Sequence, residues 1–105
     1  MPSPHRQIVE LASQLVALDS VNPALVAGGA GERAAAALVA DWCAGRGLEV
    51  EVVGDDRPSV IARRRGSGGG RSLLLNGHLD TVGVEGMTHS PWDAEMRNGR
   101  LFGVP

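Results

Sequence analysis

The sequence contains no lysine, no tyrosine, one phenylalanine and one cysteine in 105 residues. The ten basic residues are therefore all arginine, and twelve acidic residues leave a formal net charge of −2. This near balance gives no reason to expect a nucleic acid or an anionic membrane as a partner. A single cysteine, Cys43, cannot form an internal disulfide, and this favours a reducing, cytoplasmic location.

Long apolar runs are also missing. No stretch approaches the length needed to span a membrane. Glu10, Gln14 and Asp19 interrupt the N-terminal region in which a signal peptide would carry its apolar core. Apolar residues make up 43% of the chain, which is enough for the modest core of one small domain.

Two helices are predicted by apolar residues at helical spacing. The first covers residues 4–18, with Ser3 as its N-cap and Pro4 in its first turn. The second covers residues 31–44, where Cys43 is expected to be a small buried side chain. The expected buried face of this second helix consists of Ala34, Ala35, Leu38 and Trp42.

Three strands and a hairpin are predicted after the helices. Apolar and acidic residues alternate over 48–52, residues 59–64 are a second strand candidate, and the apolar run 73–75 indicates a third, buried strand. Asn98-Gly99 is a strong hairpin signal, which joins residues 94–97 to residues 100–102. Two helices followed by several strands indicate an α/β fold.

The most informative stretch is LLLNGHLDTV at residues 73–82. His78 and Asp80 come directly after the predicted buried strand, where rigid backbone meets an open loop and functional groups are often found. A carboxylate near an imidazole commonly orients a metal-binding histidine. From the spacing alone, a polar turn without a metal remains the alternative, because a zinc site needs three or four protein ligands.

The wording around these residues resembles a known family. NGHLDTV at 76–82 is similar to the first metal-ligand motif of the zinc amidohydrolases that include acetylornithine deacetylase, succinyl-diaminopimelate desuccinylase, aminoacylase and glutamate carboxypeptidase. LVALDSVNP at 15–23 and AGGAGE at 27–32 resemble the family's opening helix, the loop after it and the entry to its second helix. NGRLFG at 98–103 resembles the hairpin before the family's second metal motif.

The resemblance extends over nearly the whole chain but covers only the opening segment of a family member. It implies that residues 1–105 form the N-terminal part of a mixed-sheet metallopeptidase catalytic domain flanked by helices. The smaller dimerisation domain, which the family inserts later, has no counterpart in this sequence. A homodimer is therefore expected only for a full-length family member.

The resemblance also implies a chemistry. Family members bind two zinc ions, for which cobalt can substitute, and use metal-activated water to cleave the amide bond of an N-acyl amino acid or a peptide. His78 matches the first metal ligand, and Asp80 matches the catalytic carboxylate that holds its imidazole. The general-base glutamate and the later ligands follow the hairpin in the family, whereas Val104-Pro105 stands here in place of an expected Arg-Gly pair. We therefore expect the 105-residue chain alone to be inactive.

Two alternative functions and two further candidate ligands remain open. Residues 29–34, GAGERA, fit the G-x-G-x-x-G/A dinucleotide fingerprint, with Asp55 and Asp56 at a plausible distance for a ribose contact. A non-catalytic binding module needs none of the later ligands. His5 and His89 are further candidate ligands, although isolated histidines seldom bind metal without a convergent set.

Overall fold

The protein is a mixed α/β structure in the computed structural model, which describes residues 2–105. The described chain forms two helices and two separate two-stranded antiparallel sheets. No helix in this part of the chain is both long and apolar enough to cross a membrane. In chain order the elements are α1 (Pro4–Val16), α2 (Arg33–Ala44), β1 (Glu49–Val53), β2 (Ser59–Arg63), β3 (Met96–Arg97) and β4 (Arg100–Leu101).

Helix α1 begins as the sequence predicts and ends two residues early, at Val16. The Ser3 side chain accepts a hydrogen bond from the backbone N–H of Arg6 at 3.2 Å, and Pro4 opens the first turn. The hydrogen bond to Ser3 satisfies a backbone N–H that the helix start would otherwise leave unpaired. The predicted apolar face is only partly covered, because no residue of α1 is fully buried and Ile8 is 67% exposed.

Helix α2 packs against β1 and β2. Its buried side chains are small: Ala35, Ala36 and Cys43. The prediction for Cys43 is thus confirmed, whereas Ala34 is exposed and its predicted burial is wrong. Trp42 lies at the margin of this face, with the Arg46 guanidinium 3.7 Å from its ring centroid.

Strands β1 and β2 form an antiparallel hairpin in which Glu49 pairs with Arg63 and Val53 pairs with Ser59. Gly54, at the start of the turn, has φ +95°, and a Cβ there would lie 2.9 Å from the Arg57 carbonyl oxygen. The turn therefore requires glycine at this position. It brings Arg57 and the buried Pro58 to the end of the sheet that faces the start of α2.

The predicted third strand is wrong. Leu73, Leu74 and Leu75 belong to no strand, and they are 84%, 86% and 85% exposed. A strand that is apolar on both faces becomes buried only when neighbouring strands and covering helices enclose it. Within residues 2–105, however, β2 pairs only with β1, and nothing pairs with residues 73–75.

The C-terminal hairpin of β3 and β4 is confirmed. Asn98 and Gly99 both have positive φ, at 52° and 75°. Two consecutive left-handed residues are typical of a type I′ turn, whose twist matches that of the flanking strands.

The core of the described chain is sparse. Its buried apolar residues are Val21, Ala35, Ala36 and Cys43. The radius of gyration is 15.6 Å, compared with about 13 Å for a compact domain of this length. Much apolar surface consequently remains exposed.

Candidate functional site

His78 and Asp80 lie on one wall of a cleft of about 590 Å³. The other wall is formed by the start of α2 and by the turn that leads into β2, including Glu32 and Arg57. On its other side, the segment around Asp80 borders a smaller cavity of about 220 Å³, which Leu15 and Val16 of α1 help to line.

The backbone beside Asp80 is held by the loop that follows α1. The Thr81 N–H donates to the Ser20 carbonyl, and the Asn22 N–H donates to the Thr81 carbonyl, both at 2.9 Å. Val21 and Thr81 thereby form a single parallel bridge. Ser20 and Val21 are buried, so this bridge is shielded from water. The site is thus attached to the fold through residues 20–22 rather than through a sheet strand.

His78 is oriented by Asp80. Its Nδ1 lies 2.7 Å from the Asp80 carbonyl oxygen and 3.3 Å from Asp80 Oδ1. A backbone carbonyl only accepts hydrogen bonds, so in this arrangement Nδ1 carries the proton. In the neutral imidazole, the opposite nitrogen, Nε2, then carries the free lone pair, on a side chain that is 79% exposed. The two residues that the sequence predicts as a pair therefore lie in contact, and the acceptor nearest to the imidazole is the backbone of Asp80 rather than its carboxylate.

The Asp80 carboxylate is itself held from the opposite side. Asn22 Nδ2 donates to Asp80 Oδ2 at 2.7 Å. Arg57 Nη2 lies 3.7 Å from the same oxygen. The two Asp80 oxygens therefore face different partners: Oδ2 faces the amide and the guanidinium, and Oδ1 faces the imidazole.

Arg57 also binds Glu32, whose side chain is only 8% exposed. The Arg57 Nε–H donates to Glu32 Oε1. This hydrogen bond raises the pKa of Arg57 above its ordinary value, against the opposing effect of desolvation, and the negative charges of Glu32 and Asp80 act in the same direction as the bond. Arg57 therefore stays charged and joins the two carboxylates.

Sequence reasoning missed Asn22, Glu32 and Arg57 as parts of this cluster. Asn22 precedes Asp80 by 58 residues, and Glu32 precedes Arg57 by 25. No local spacing rule connects residues so far apart. The usable signal was indirect, since Asn22 and Glu32 both fall inside the stretches that carry the family resemblance.

The donors at the site fit one imidazole ligand to zinc or cobalt, through Nε2 of His78. Among residues 2–105, no three His, Cys, Asp or Glu side chains are grouped to hold a metal ion. His5 is exposed on α1. His89 instead lies against the C-terminal hairpin, with its ring centroid 5.3 Å from that of Phe102.

The dinucleotide interpretation requires a strand directly before α2. Residues 23–31 form turns and irregular backbone there, and the described chain has no βαβ unit. Asp55 and Asp56 instead form exposed ion pairs with Arg33. The Glu32 carboxylate also stands at the helix start, where a pyrophosphate would bind. The structural context of the fingerprint is therefore not formed.

No protein-family model matches this chain, and no solved structure gives a significant match.

Proposed function

We propose that His78 and Asp80 form the first part of the metal centre of an acetylornithine deacetylase-like hydrolase, which cleaves the amide bond of N-acyl amino acids. The observation that carries this proposal is the orientation of His78. Its Nδ1 is engaged by Asp80, and its Nε2 is free and exposed at a cleft.

The arrangement has the form expected of a metal-ligating histidine. Such histidines commonly donate the N–H that is not used for the metal to a carboxylate or a backbone carbonyl, and this fixes the tautomer and raises the basicity of the ligand. Asp80 offers both kinds of acceptor to one imidazole. A polar turn without a function does not require the His78 imidazole to be held in this orientation.

In this proposal His78 binds the metal, and Asp80 holds the imidazole in place. A bound zinc or cobalt ion supplies an activated water and polarises the substrate carbonyl. The remaining ligands and the general base belong to motifs that follow the hairpin in the family. The mixed α/β fold is compatible with a fragment of a larger domain. A small N-acyl amino acid or peptide as the substrate, a cytoplasmic location and a homodimer for the full-length enzyme belong to the same proposal.

A non-catalytic binding module is the second candidate, and the exposed leucines 73–75 favour it. A large contiguous apolar surface that is exposed to solvent commonly marks an interaction site. This candidate makes no use of the orientation of His78, so a metal experiment separates the two proposals.

The test is a titration of the 105-residue protein with Co²⁺, followed through the histidine ring resonances in the NMR spectrum. Paramagnetic broadening detects even a weakly bound ion, which suits a site with one imidazole. We expect the His78 resonances to broaden at the lowest Co²⁺ concentration, ahead of those of His5 and His89.

The matched variants are His78→Ala and His89→Ala. Because His78→Ala removes the His78 ring resonances themselves, the broadening is also followed at the backbone amides of residues 79–81. The first variant should abolish the early broadening there, and the second should leave it unchanged because His89 lies against the hairpin. Broadening that begins at His5 or His89, or that survives His78→Ala, would contradict the proposal. In a parallel assay with zinc or cobalt and an N-acetyl amino acid, we expect no turnover from this chain alone, because one imidazole does not make a dinuclear site.

A further inference from the structure

We infer that Asn22 is a positioning residue, which directs one oxygen of the Asp80 carboxylate at the His78 imidazole, beside the hydrogen bond between the ring and the Asp80 backbone carbonyl. The consequence for metal binding rests on the proposed function, whereas the consequence for the imidazole tautomer does not. Nothing in the motif around His78 points to Asn22, which lies in the loop after α1, 58 residues before Asp80.

The orientation of the Asn22 amide is fixed by its two side-chain contacts. Its Oδ1 accepts a hydrogen bond from the Ala24 N–H at 2.8 Å. Since a backbone N–H requires an acceptor, the Asn22 Nδ2 group must point the other way, toward Asp80 Oδ2 at 2.7 Å. Rotating the amide by 180° would place a donor against a donor and an acceptor against a carboxylate.

The backbone of Asn22 is equally constrained. Its N–H donates to the Thr81 carbonyl at 2.9 Å, and its carbonyl accepts from the N–H groups of Leu25 and Val26 at 3.0 Å. The amide therefore sits on a fixed support directly beside the residue that it contacts. This rigidity is what a positioning group requires.

The contact determines which way the Asp80 carboxylate faces. Asn22 holds Oδ2, and this leaves Oδ1 3.3 Å from His78 Nδ1. Arg57 Nη2 also approaches Oδ2, at the longer distance of 3.7 Å. Without the amide, the carboxylate is free to rotate toward the guanidinium, because a charged donor attracts it more strongly than a neutral ring does. Asn22 thus keeps Oδ1 directed at the imidazole without adding a charge to the site.

The key variant is Asn22→Asp. Aspartate has nearly the same shape and still accepts the hydrogen bond from Ala24, but it has no donor for Asp80 and it repels that carboxylate. Asn22→Ala is the companion variant, and Gln14→Ala removes an exposed amide of α1 as the control. Asn22→Asp therefore separates the loss of positioning from a loss of packing in the loop.

The first measurement uses the metal-free 105-residue protein. The ring nitrogens of His78 are observed by ¹H–¹⁵N NMR at a pH where the imidazole is neutral. We expect the wild type and Gln14→Ala to show the Nδ1–H tautomer. In Asn22→Asp the Asp80 backbone carbonyl remains as the single acceptor for Nδ1 on a largely exposed ring, so we expect a partial shift toward the Nε2–H tautomer. An unchanged Nδ1–H tautomer in Asn22→Asp, in a chain whose backbone spectrum is intact, would overturn the inference.

The second measurement is Co²⁺ affinity in a double-mutant cycle with Asp80→Ala. Removing a group that orients a metal ligand typically weakens metal binding about 10- to 100-fold, and we expect Asn22→Asp to cause a smaller, severalfold loss. An added negative charge by itself would strengthen cation binding, so a loss identifies positioning. In the Asp80→Ala background, Asn22→Asp should cause no further loss of affinity, whereas independent, additive losses would contradict the inference.

The two measurements also separate this inference from the proposed function. If the wild type binds no Co²⁺ through His78, the proposed function fails, and the tautomer experiment still decides the role of Asn22. If Co²⁺ binds through His78 but Asn22→Asp changes neither the tautomer nor the affinity, the inference fails and the proposed function stands.

Discussion

The region that carries the structural core and the segment that carries the candidate site are held by different means. Between residues 33 and 63, helix α2 packs small side chains against the β1–β2 hairpin. Between residues 64 and 80, the chain has neither helix nor strand. The second region is fixed at its end, where Thr81 bridges to residues 20–22. Apolar packing therefore organises one region, and hydrogen bonds to the loop after α1 organise the other.

The difference indicates how little large apolar side chains contribute to the stability of the fold. The buried apolar side chains are small or medium in size, whereas large ones such as Leu74 and Ile8 are exposed. Burial of apolar area provides the main driving force for folding. A chain that exposes three adjacent leucines and fully buries only small or medium-sized apolar side chains is expected to be only marginally stable and to associate readily.

Gly29→Ala should have the largest effect, because it attacks the loop that holds the site. A Cβ at Gly29 would lie 2.6 Å from the Val21 carbonyl oxygen and 3.1 Å from the Pro23 nitrogen. Both are backbone atoms, so the loop must shift. We expect a loss of about 1–3 kcal/mol in the free energy of unfolding, as for other overpacked sites, measured by urea denaturation.

Gly66→Ala is the matched control for this substitution. A Cβ at Gly66 would meet nothing within 4 Å, so we expect a change within about 0.5 kcal/mol. If Gly29→Ala is equally harmless, the contact between residues 20–22 and Thr81 does not hold the segment as described. Residues 64–80 would then not be held by hydrogen bonds to the loop after α1.

Ser3→Ala tests helix α1, which is stabilised by local contacts and has little tertiary packing. Helix α1 buries none of its residues completely, so its start depends strongly on the hydrogen bond from the Arg6 N–H to Ser3 Oγ. Removing an N-cap of this kind costs about 1 kcal/mol. We expect a loss of this size in unfolding free energy together with a lower helical circular dichroism signal. A loss in Ser3→Gly as large as in Ser3→Ala would contradict a capping role, since glycine is a tolerated N-cap.

The elements that the sequence predicted correctly are those set by local patterns. The 3.6-residue spacing located α1 and α2, the alternation of Val50 and Val52 with acidic residues located β1, and Asn98-Gly99 located the C-terminal hairpin. Each depends on residues close together in the chain. The pairing of His78 with Asp80 is likewise local, since the two residues are two positions apart in the chain.

The elements that the sequence did not predict correctly depend on distant partners. Whether residues 73–75 form a strand is decided by the presence of a neighbouring strand, which their own sequence does not contain. The contacts of Asn22 and Arg57 with Asp80 arise because the fold brings separate loops to one cleft. Burial within α2 depends on which side faces the hairpin, and this explains the error at Ala34.

Leu74→Gln should have the smallest effect on unfolding, and it tests directly whether residues 73–75 are exposed. With Leu74 86% exposed, the substitution removes no packing, and we expect a change within about 0.5 kcal/mol. A buried strand would instead lose about 2–5 kcal/mol when a leucine is truncated. Leu38→Gln is the positive control. Leu38 lies on the partly buried face of α2, so this variant should lose stability in the same assay. Because an exposed apolar run promotes association, Leu74→Gln should also reduce the apparent mass in analytical ultracentrifugation. A large loss of stability together with a monomeric wild type would mean that residues 73–75 are buried in solution, as the sequence pattern predicts.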